Sequence, residues 1–417
     1  MNLENNRLRV LYSFPNKLGG DRVCYTAWQQ VNGLHAAGAK VLVCAGSVCR
    51  PVAPGITMSP TLSRGKLRIP YKLLGEKRAY FLHDSIVARR VAKLAGQIDI
   101  IHAWPSGARR TIEAAKRAGI PTVLERPNAH TGFAMEVVGK ECERLGVTLP
   151  ADDPHAYDAE KLRKEEEEFR LATRLLCPSD FVVQTFLERG FAKEQLVRHM
   201  YGFDEERFFP GATRNGNSKF TMLFAGSCAV RKGVHYALEA WLQSPAHRNG
   251  TFLIAGEFLP QYAEKLSGML SHPSVRVLGQ RNDVPELMRN SDVLVLPTIE
   301  EGSPLVALEA MGSGCVPVVS EVCAGVCEHM QNALVHRVGD VETLAKHISV
   351  LHEDRGLLQE LRSAGLKARK NFTWEAAGVK LLEAYRETIE MYSQTKEVAA
   401  KASSTPIASA THLYCRY

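Results

Sequence analysis

The sequence predicts an α/β protein built of two doubly wound, Rossmann-like domains facing a central cleft, and three observations carry that reading. Apolar runs of strand type alternate with segments of helical period through the first half. The alternation breaks at a stretch rich in Pro, Gly and Asn, "YGFDEERFFPGATRNGNSKF", and then restarts. With 417 residues, 45% apolar and 23% charged, the chain can bury two ordinary globular cores. The expected limits are 1–205 for the first domain, 206–372 for the second and 373–395 for helices crossing back to the first. The Ser-, Thr- and Ala-rich end, 396–417, is expected to be a disordered tail.

In chain order, "RLRVLYSF" predicts a strand, "NKLGGD" a glycine loop, "RVCYTAWQQVNGLHAAG" a helix closed by Gly38, and "AKVLVCAG" the next strand. "IDIIHAW" and "PTVLER" flank the helix "GARRTIEAAKRAG". The acidic run Glu165 to Glu168 belongs to a helix ending near Thr173, "RLLCPS" is a strand, and Ser179 caps "DFVVQTFLERG". In the second half "FTMLFAG", "TFLIAGE", "VRVLGQ", "DVLVLPT" and "CVPVVS" are strands with helices between. Ser303 is placed as an N-cap, Pro304 as the first helical residue, and Gly312 and Gly314 as the close of that helix.

The N-terminus has no basic stretch followed by an apolar one, and no run of apolar residues is long enough for a membrane span, so a cytoplasmic protein is expected. Ten Cys without a CxxC pair read as reduced, buried thiols rather than disulfides or zinc ligands. The formal net charge of +7 is unevenly spread. Between residues 61 and 93 the cations Arg64, Lys66, Arg68, Lys72, Lys77, Arg78, Arg89, Arg90 and Lys93 outnumber Glu76 and Asp84. A solvated helix face is the plain reading of that strip; the sharper one is a surface for anionic lipid headgroups or a phosphorylated acceptor, favoured over nucleic acid because interleaved aromatics and a binding motif are lacking.

Ligands in doubly wound sheets sit at the carboxyl ends of strands. Gly19 and Gly20 lie at one such end and Glu301 at another. Arg231 and Lys232, in "FAGSCAVRKG", precede a helix and make an anion site suited to a diphosphate. Glu309 stands about five residues into its helix and can accept from two vicinal hydroxyls, as on a ribose. Glu301, with the backbone of Gly302, Ser303, Pro304 and Leu305, can hold sugar hydroxyls or the phosphate end. Cations placed there would stabilise a departing nucleoside diphosphate.

Taken together, the linker "YGFDEERFFP", the loop "FAGSCAVRKG", "RNDVPELMRNSDVLVLPT" and the E-x7-E stretch "EEGSPLVALEAMGSGCVPVVS" resemble glycosyltransferase family 4, the retaining GT-B enzymes. The resemblance runs over roughly residues 8–390 and is densest in the second half. It implies sugar transfer from a nucleotide-sugar donor to a saccharide or lipid-linked acceptor, with no cofactor and no metal. It also implies catalytic parts for Arg231, Lys232, Glu301 and His130, with Gly19, Gly20, Gly226, Ser227, Arg281 and Glu309 among the donor-binding residues. His102, Arg126 and His130 would touch the donor sugar or phosphate from the first domain. Ser227 departs from the pattern, since many members carry Arg there. The alternative is a catalytically silent nucleotide-binding assembly protein on the same fold. A dehydrogenase is disfavoured because "NKLGGD" lacks the spaced glycine fingerprint.

Overall fold

The structure is a computed structural model that describes residues 7–64, 67–68, 74–211, 219–323 and 325–404. Its first half comprises β1 (Arg9–Leu18), α1 (Val23–Ala36), β2 (Lys40–Val48), β3 (Thr57–Met58), the short hairpin β4 (Ser63–Arg64) and β5 (Leu67–Arg68), and α2 (Glu76–Lys93). It continues through β6 (Ile100–Ala103), α3 (Arg109–Ala118), β7 (Thr122–Glu125), α4 (Thr131–Leu145), α5 (Ala159–Leu171), β8 (Arg174–Cys177), α6 (Asp180–Leu187) and β9 (Leu196–Arg198). Seven of these strands pair in parallel in the order β3-β2-β1-β6-β7-β8-β9.

The second half comprises β10 (Thr221–Ala225), α7 (Val234–Gln243), β11 (Thr251–Ala255), α8 (Pro260–Lys265), α9 (Ser267–Leu270), β12 (Val275–Gly279), α10 (Val284–Arg289) and β13 (Val293–Leu296). α11 (Leu305–Ser313), β14 (Val316–Ser320), β15 (Leu334–His336), α12 (Val341–Glu353), α13 (Arg355–Ala368) and α14 (Trp374–Ser404) complete it. Its sheet is also parallel, in the order β12-β11-β10-β13-β14-β15. Strands buried on both faces explain the near-continuous apolar runs, such as Val293 to Leu296.

α14 returns to the first sheet, where Leu381, Leu382, Ala384 and Tyr385 join the core formed by β1 and β2. Gly33 of α1 and Gly378 of α14 meet backbone to backbone, and a Cβ on Gly33 would lie 2.9 Å from the Trp374 carbonyl oxygen. Larger residues there would push the helices apart. Residues 396–404, expected to be disordered, instead continue this one helix, because "VAAKA" has strong helix propensity; 405–417 lie outside the described residues.

The two domains also meet through α4, whose Val138 and Cys142 are packed into the second domain's core. Beside them Glu141 accepts from Tyr236 Oη at 2.7 Å and pairs with His235 Nε2 at 2.8 Å. Of the basic strip, the side chains of Arg64, Lys66, Arg68 and Lys72 lie outside the described residues. Arg90 is used internally, donating to the carbonyls of Ser59 and Pro60. Lys77 pairs with Glu160. Among the described residues no helix is long and apolar enough to cross a membrane.

Candidate active site

In the second sheet the chain leaves β10 toward β11 on one side and β13 toward β14 on the other, so the strand order reverses between β10 and β13. Such a switch point opens a crevice between the loops that follow the two strands. Arg231 and Lys232 lie in the first loop, and Glu300 and Glu301 in the second.

The two loops are tied by backbone before any charge is considered. Ile299 N–H and Thr298 Oγ1 both donate to the Arg231 carbonyl, each at 2.9 Å. Gly233 takes a left-handed φ of 66°, and a Cβ there would collide with the Pro297 carbonyl. The charges then fall together. Lys232 Nζ pairs with Glu301 Oε2. Arg231 Nη1 lies 3.4 Å from Glu301 Oε2 and 3.3 Å from Glu300 Oε2, and donates to the Glu300 carbonyl at 2.7 Å. Burial alone would raise the Glu301 carboxyl, but the Lys232 and Arg231 charges hold it below the usual range. Burial opposes the Arg231 charge as well, yet Glu301 and Glu300 raise its pKa.

Glu309 is the fifth residue of α11 and faces a separate pocket of about 210 Å³. Gly20, Arg22 and Tyr25 of the first domain, Arg207 of the linker, Leu305 and Trp374 also line it. Burial pushes the Glu309 carboxyl up to about 7, with Arg207 opposing and Asp204 adding to the rise. Gly19 (φ 81°) turns the chain out of β1, and a Cβ would sit 2.8 Å from that of Arg50. Gly312 lets α11 pack against Phe203 and the Phe208 carbonyl of the linker.

Of the other residues expected at the site, His102, Arg126 and His130 are corrected, since the structure turns them into the first domain. His102 is fully buried inside β6, its ring centroid 4.3 Å from that of Tyr12 and its Nδ1 2.6 Å from Tyr385 Oη, so it braces the core under α14. His130 is also fully buried; its Nδ1 accepts from Gly132 N–H to cap α4, and Phe169, Phe186 and Phe191 surround the ring. Burial brings each imidazole down to about 4, with the charge of Arg126 adding to the fall at His130, so both are neutral at pH 7. Arg126 is spent within the first domain, over the Phe169 ring at 4.2 Å and donating to Thr131 Oγ1. Arg281 is exposed and forks onto Asp283 of its own turn. Ser303 makes no capping bond; α11 starts at Leu305 with Pro304 as its N-cap. Ser227 is exposed beside Gly226, which takes φ 149°.

Sequence reasoning passed over Glu300 and His155. Glu300 is wholly buried, and its Oε1 accepts Ala129 N–H of the first domain at 3.0 Å. His155 Nε2 approaches Glu300 Oε2 at 3.5 Å. The doubled Glu300-Glu301 was a visible signal, whereas nothing local marks His155. Gly302 approaches the first domain so closely that a Cβ would collide with the Pro127 carbonyl.

Two parallel Rossmann-like sheets, with a cation–carboxylate cluster at the switch point of the second, define a two-domain protein of the GT-B fold. A solved structure supports that architecture: the sucrose-phosphate synthase from Thermosynechococcus elongatus superposes with a TM-score of 0.67 over 93% of this chain and 100% of its own, at 18% identity. The model of the family "Glycosyl transferases group 1" matches residues 219–354. The D-inositol 3-phosphate glycosyltransferase of Salinispora arenicola is 34% identical over 349 residues, 75% of this chain and 74% of that one. The N,N'-diacetylbacillosaminyl-diphospho-undecaprenol alpha-1,3-N-acetylgalactosaminyltransferase of Campylobacter jejuni is 40% identical over 91 residues, which span 21% of this chain and 24% of that enzyme. The chain belongs to the group 1 glycosyltransferases.

Proposed function

We propose that the protein moves a hexose from a nucleotide-sugar donor to a hydroxyl of a glycan or lipid-linked saccharide, with retention of anomeric configuration. The observation that carries this reading is the meeting of Arg231, Lys232 and Glu301 at the switch point, with Glu309 on α11, the helix that follows the Glu301 loop. In the step envisaged, the bond between the anomeric carbon and the phosphate oxygen breaks, and its electron pair goes to that oxygen. The acceptor oxygen bonds to the anomeric carbon on the same face, and its proton passes to the leaving phosphate. Arg231 and Lys232 neutralise the charge that develops there.

The cluster as it stands balances two cations against two carboxylates. A diphosphate would enter by taking Lys232 from Glu301, which frees Glu301 for the hydroxyls of the donor sugar. Glu309 would accept from the ribose hydroxyls. The fixed cations and the free N–H groups at the start of α11 take the part a metal would otherwise play, so no metal or other cofactor is needed. The relatives' names carry an inositol 3-phosphate and a diphospho-undecaprenol, which favours a phosphorylated acceptor. Peripheral seating on an anionic membrane is supported by α2, which carries Lys77, Arg78 and Arg89 and whose Phe81, 55% exposed, lies under the Arg110 guanidinium at 4.0 Å.

Thermal unfolding with UDP, GDP, ADP, CMP and NAD in parallel tests the site. A ligand at 100 times its dissociation constant adds about 2.7 kcal/mol. A shift with one nucleoside diphosphate, lost in Glu309→Ala, is expected; a shift with NAD alone would overturn the reading. An NMR time course of product formation tests retention, and an inverted first product would exclude it. Co-sedimentation that requires anionic lipid in the vesicles is the expected sign of membrane seating.

A further inference from the structure

Glu300 belongs to the second domain, yet two of its three side-chain partners come from the first. Its Oε1 accepts Ala129 N–H at 3.0 Å, from the loop that follows β7. Its Oε2 is 3.5 Å from His155 Nε2, in the segment between α4 and α5, and 3.3 Å from Arg231 Nη1. His155 is itself held by Asp153, whose Oδ1 accepts His155 N–H at 2.8 Å and lies 3.3 Å from Nδ1. Glu300 has no exposed surface, so these groups, with the nearby charge of Arg126, must balance its own.

Burial would raise the Glu300 carboxyl, but His155 and Arg231 overturn that and hold it at about 2. Gly302, two residues on, packs against the Pro127 carbonyl, so the Glu300 contacts sit beside a close backbone approach of the two domains. If the domains parted, Ala129 and His155 would leave together. The Glu300 charge would then rest on Arg231, which already lies against Glu301. With the domains together, that charge is shared among three donors, and Arg231 keeps N–H groups for a ligand.

We infer that Glu300 is a positioning residue that couples the meeting of the two domains to the placement of Arg231, with His155 and the Ala129 amide as the sensors of closure on the first-domain side. This rests on the reading of Arg231 as a cation for the donor diphosphate. Glu300 touches no substrate in this scheme and acts through the guanidinium.

The test uses the full chain and titrates calorimetrically whichever of UDP, GDP or ADP binds, together with the matching nucleoside monophosphate. The variants are Glu300→Gln, His155→Gln, the pair combined, and Arg231→Ala. Glu300→Gln is expected to weaken the diphosphate about 10-fold, in the range for a lost charged hydrogen bond, and His155→Gln about 3-fold. The double variant should be no weaker than Glu300→Gln, since His155 acts through Glu300. The monophosphate, lacking the phosphate that Arg231 would meet, should change less than about 2-fold in each. Equal weakening of mono- and diphosphate, or additive losses in the double variant, would make Glu300 merely structural and overturn the inference. His155→Gln leaves the buried carboxylate in place and reads the same coupling from the other domain should Glu300→Gln fail to fold. Unchanged diphosphate affinity in Arg231→Ala would instead sink the reading of the site itself.

Discussion

The two halves of the cleft are built on opposite plans. The second domain pushes its charged side chains out of two short loops into one crevice, where Arg231, Lys232 and Glu301 meet. The first domain turns its ionisable groups inward. Glu125, His102, His199 and Tyr201 form a buried polar cluster, with His199 Nε2 and Tyr201 Oη each 2.9 Å from Glu125 Oε1. What the first domain offers at the interface is backbone, in the Ala129 N–H, the Pro127 carbonyl and the Gly19–Gly20 turn, beside the side chains of His155 and Glu141, which pair with residues of the second domain. The difference assigns the chemistry to one half and the fitting to the other.

The largest effect should follow from removing a cation of the second half. Arg231→Ala or Lys232→Ala is expected to lower kcat/KM for the nucleotide sugar by roughly 100- to 1,000-fold, the range seen when one preorganised donor to a developing charge is lost. Thermal stability should fall with Arg231→Ala, which strips the wholly buried Glu300 of one of its three partners, and less with Lys232→Ala, whose partner Glu301 keeps Arg231. Steady-state kinetics beside a melting curve would check both. A fall of less than about 3-fold would break the assignment of the chemistry to this half.

The converse holds for the first half. His130→Ala removes the cap of α4 and leaves a hole among three phenylalanine rings, at a cost of about 2–3 kcal/mol. Denaturant titration should show that loss, with kcat of the folded protein within about 3-fold of the original. A folded His130→Ala protein with a 100-fold lower kcat would return the imidazole to the site.

That contrast also explains which parts were legible in the sequence. Arg231, Lys232, Glu301 and Glu309 stand in contiguous strand–loop–helix stretches, so local pattern places the first three in the loops at the crevice and Glu309 on the helix that follows. His102 and His130 also stand in or near strand ends, but whether a side chain turns to the cleft or the core is set by what packs on it. For His102 that is Tyr385, far along the chain, and for His130 it is a cluster of phenylalanines from other elements. Glu300 and His155 escaped because their meaning lies in a contact between domains. Residues 396–404 run on as helix for a local reason, since their alanines are helix formers although the stretch reads as Ser-, Thr- and Ala-rich.

The smallest of these effects is the most diagnostic of the ribose assignment. Glu309 has its pKa raised to about 7 from an ordinary 4.5, mainly by burial. A carboxylate accepts from both hydroxyls of a ribose, while its protonated form has less acceptor capacity. Nucleoside diphosphate affinity should therefore strengthen as pH rises from 6 to 8, by up to about 10-fold, as the ionised share grows through a pKa near 7. The terminal phosphate of the ligand titrates near pH 6 and adds a slope of the same sign, which the Glu309→Gln protein isolates because its own side chain no longer titrates. In the absence of nucleotide the sign reverses. With the folded pKa above the unfolded one, the folded state holds the proton more tightly, so the Glu309 contribution to stability is fullest below pH 4.5 and is lost as pH rises toward and through 7. Glu309→Gln should remove that decline. A wild-type affinity with the same pH slope as Glu309→Gln would mean that the carboxylate meets no ribose, and would leave the pocket it shares with the Gly20 turn to some other part of the ligand.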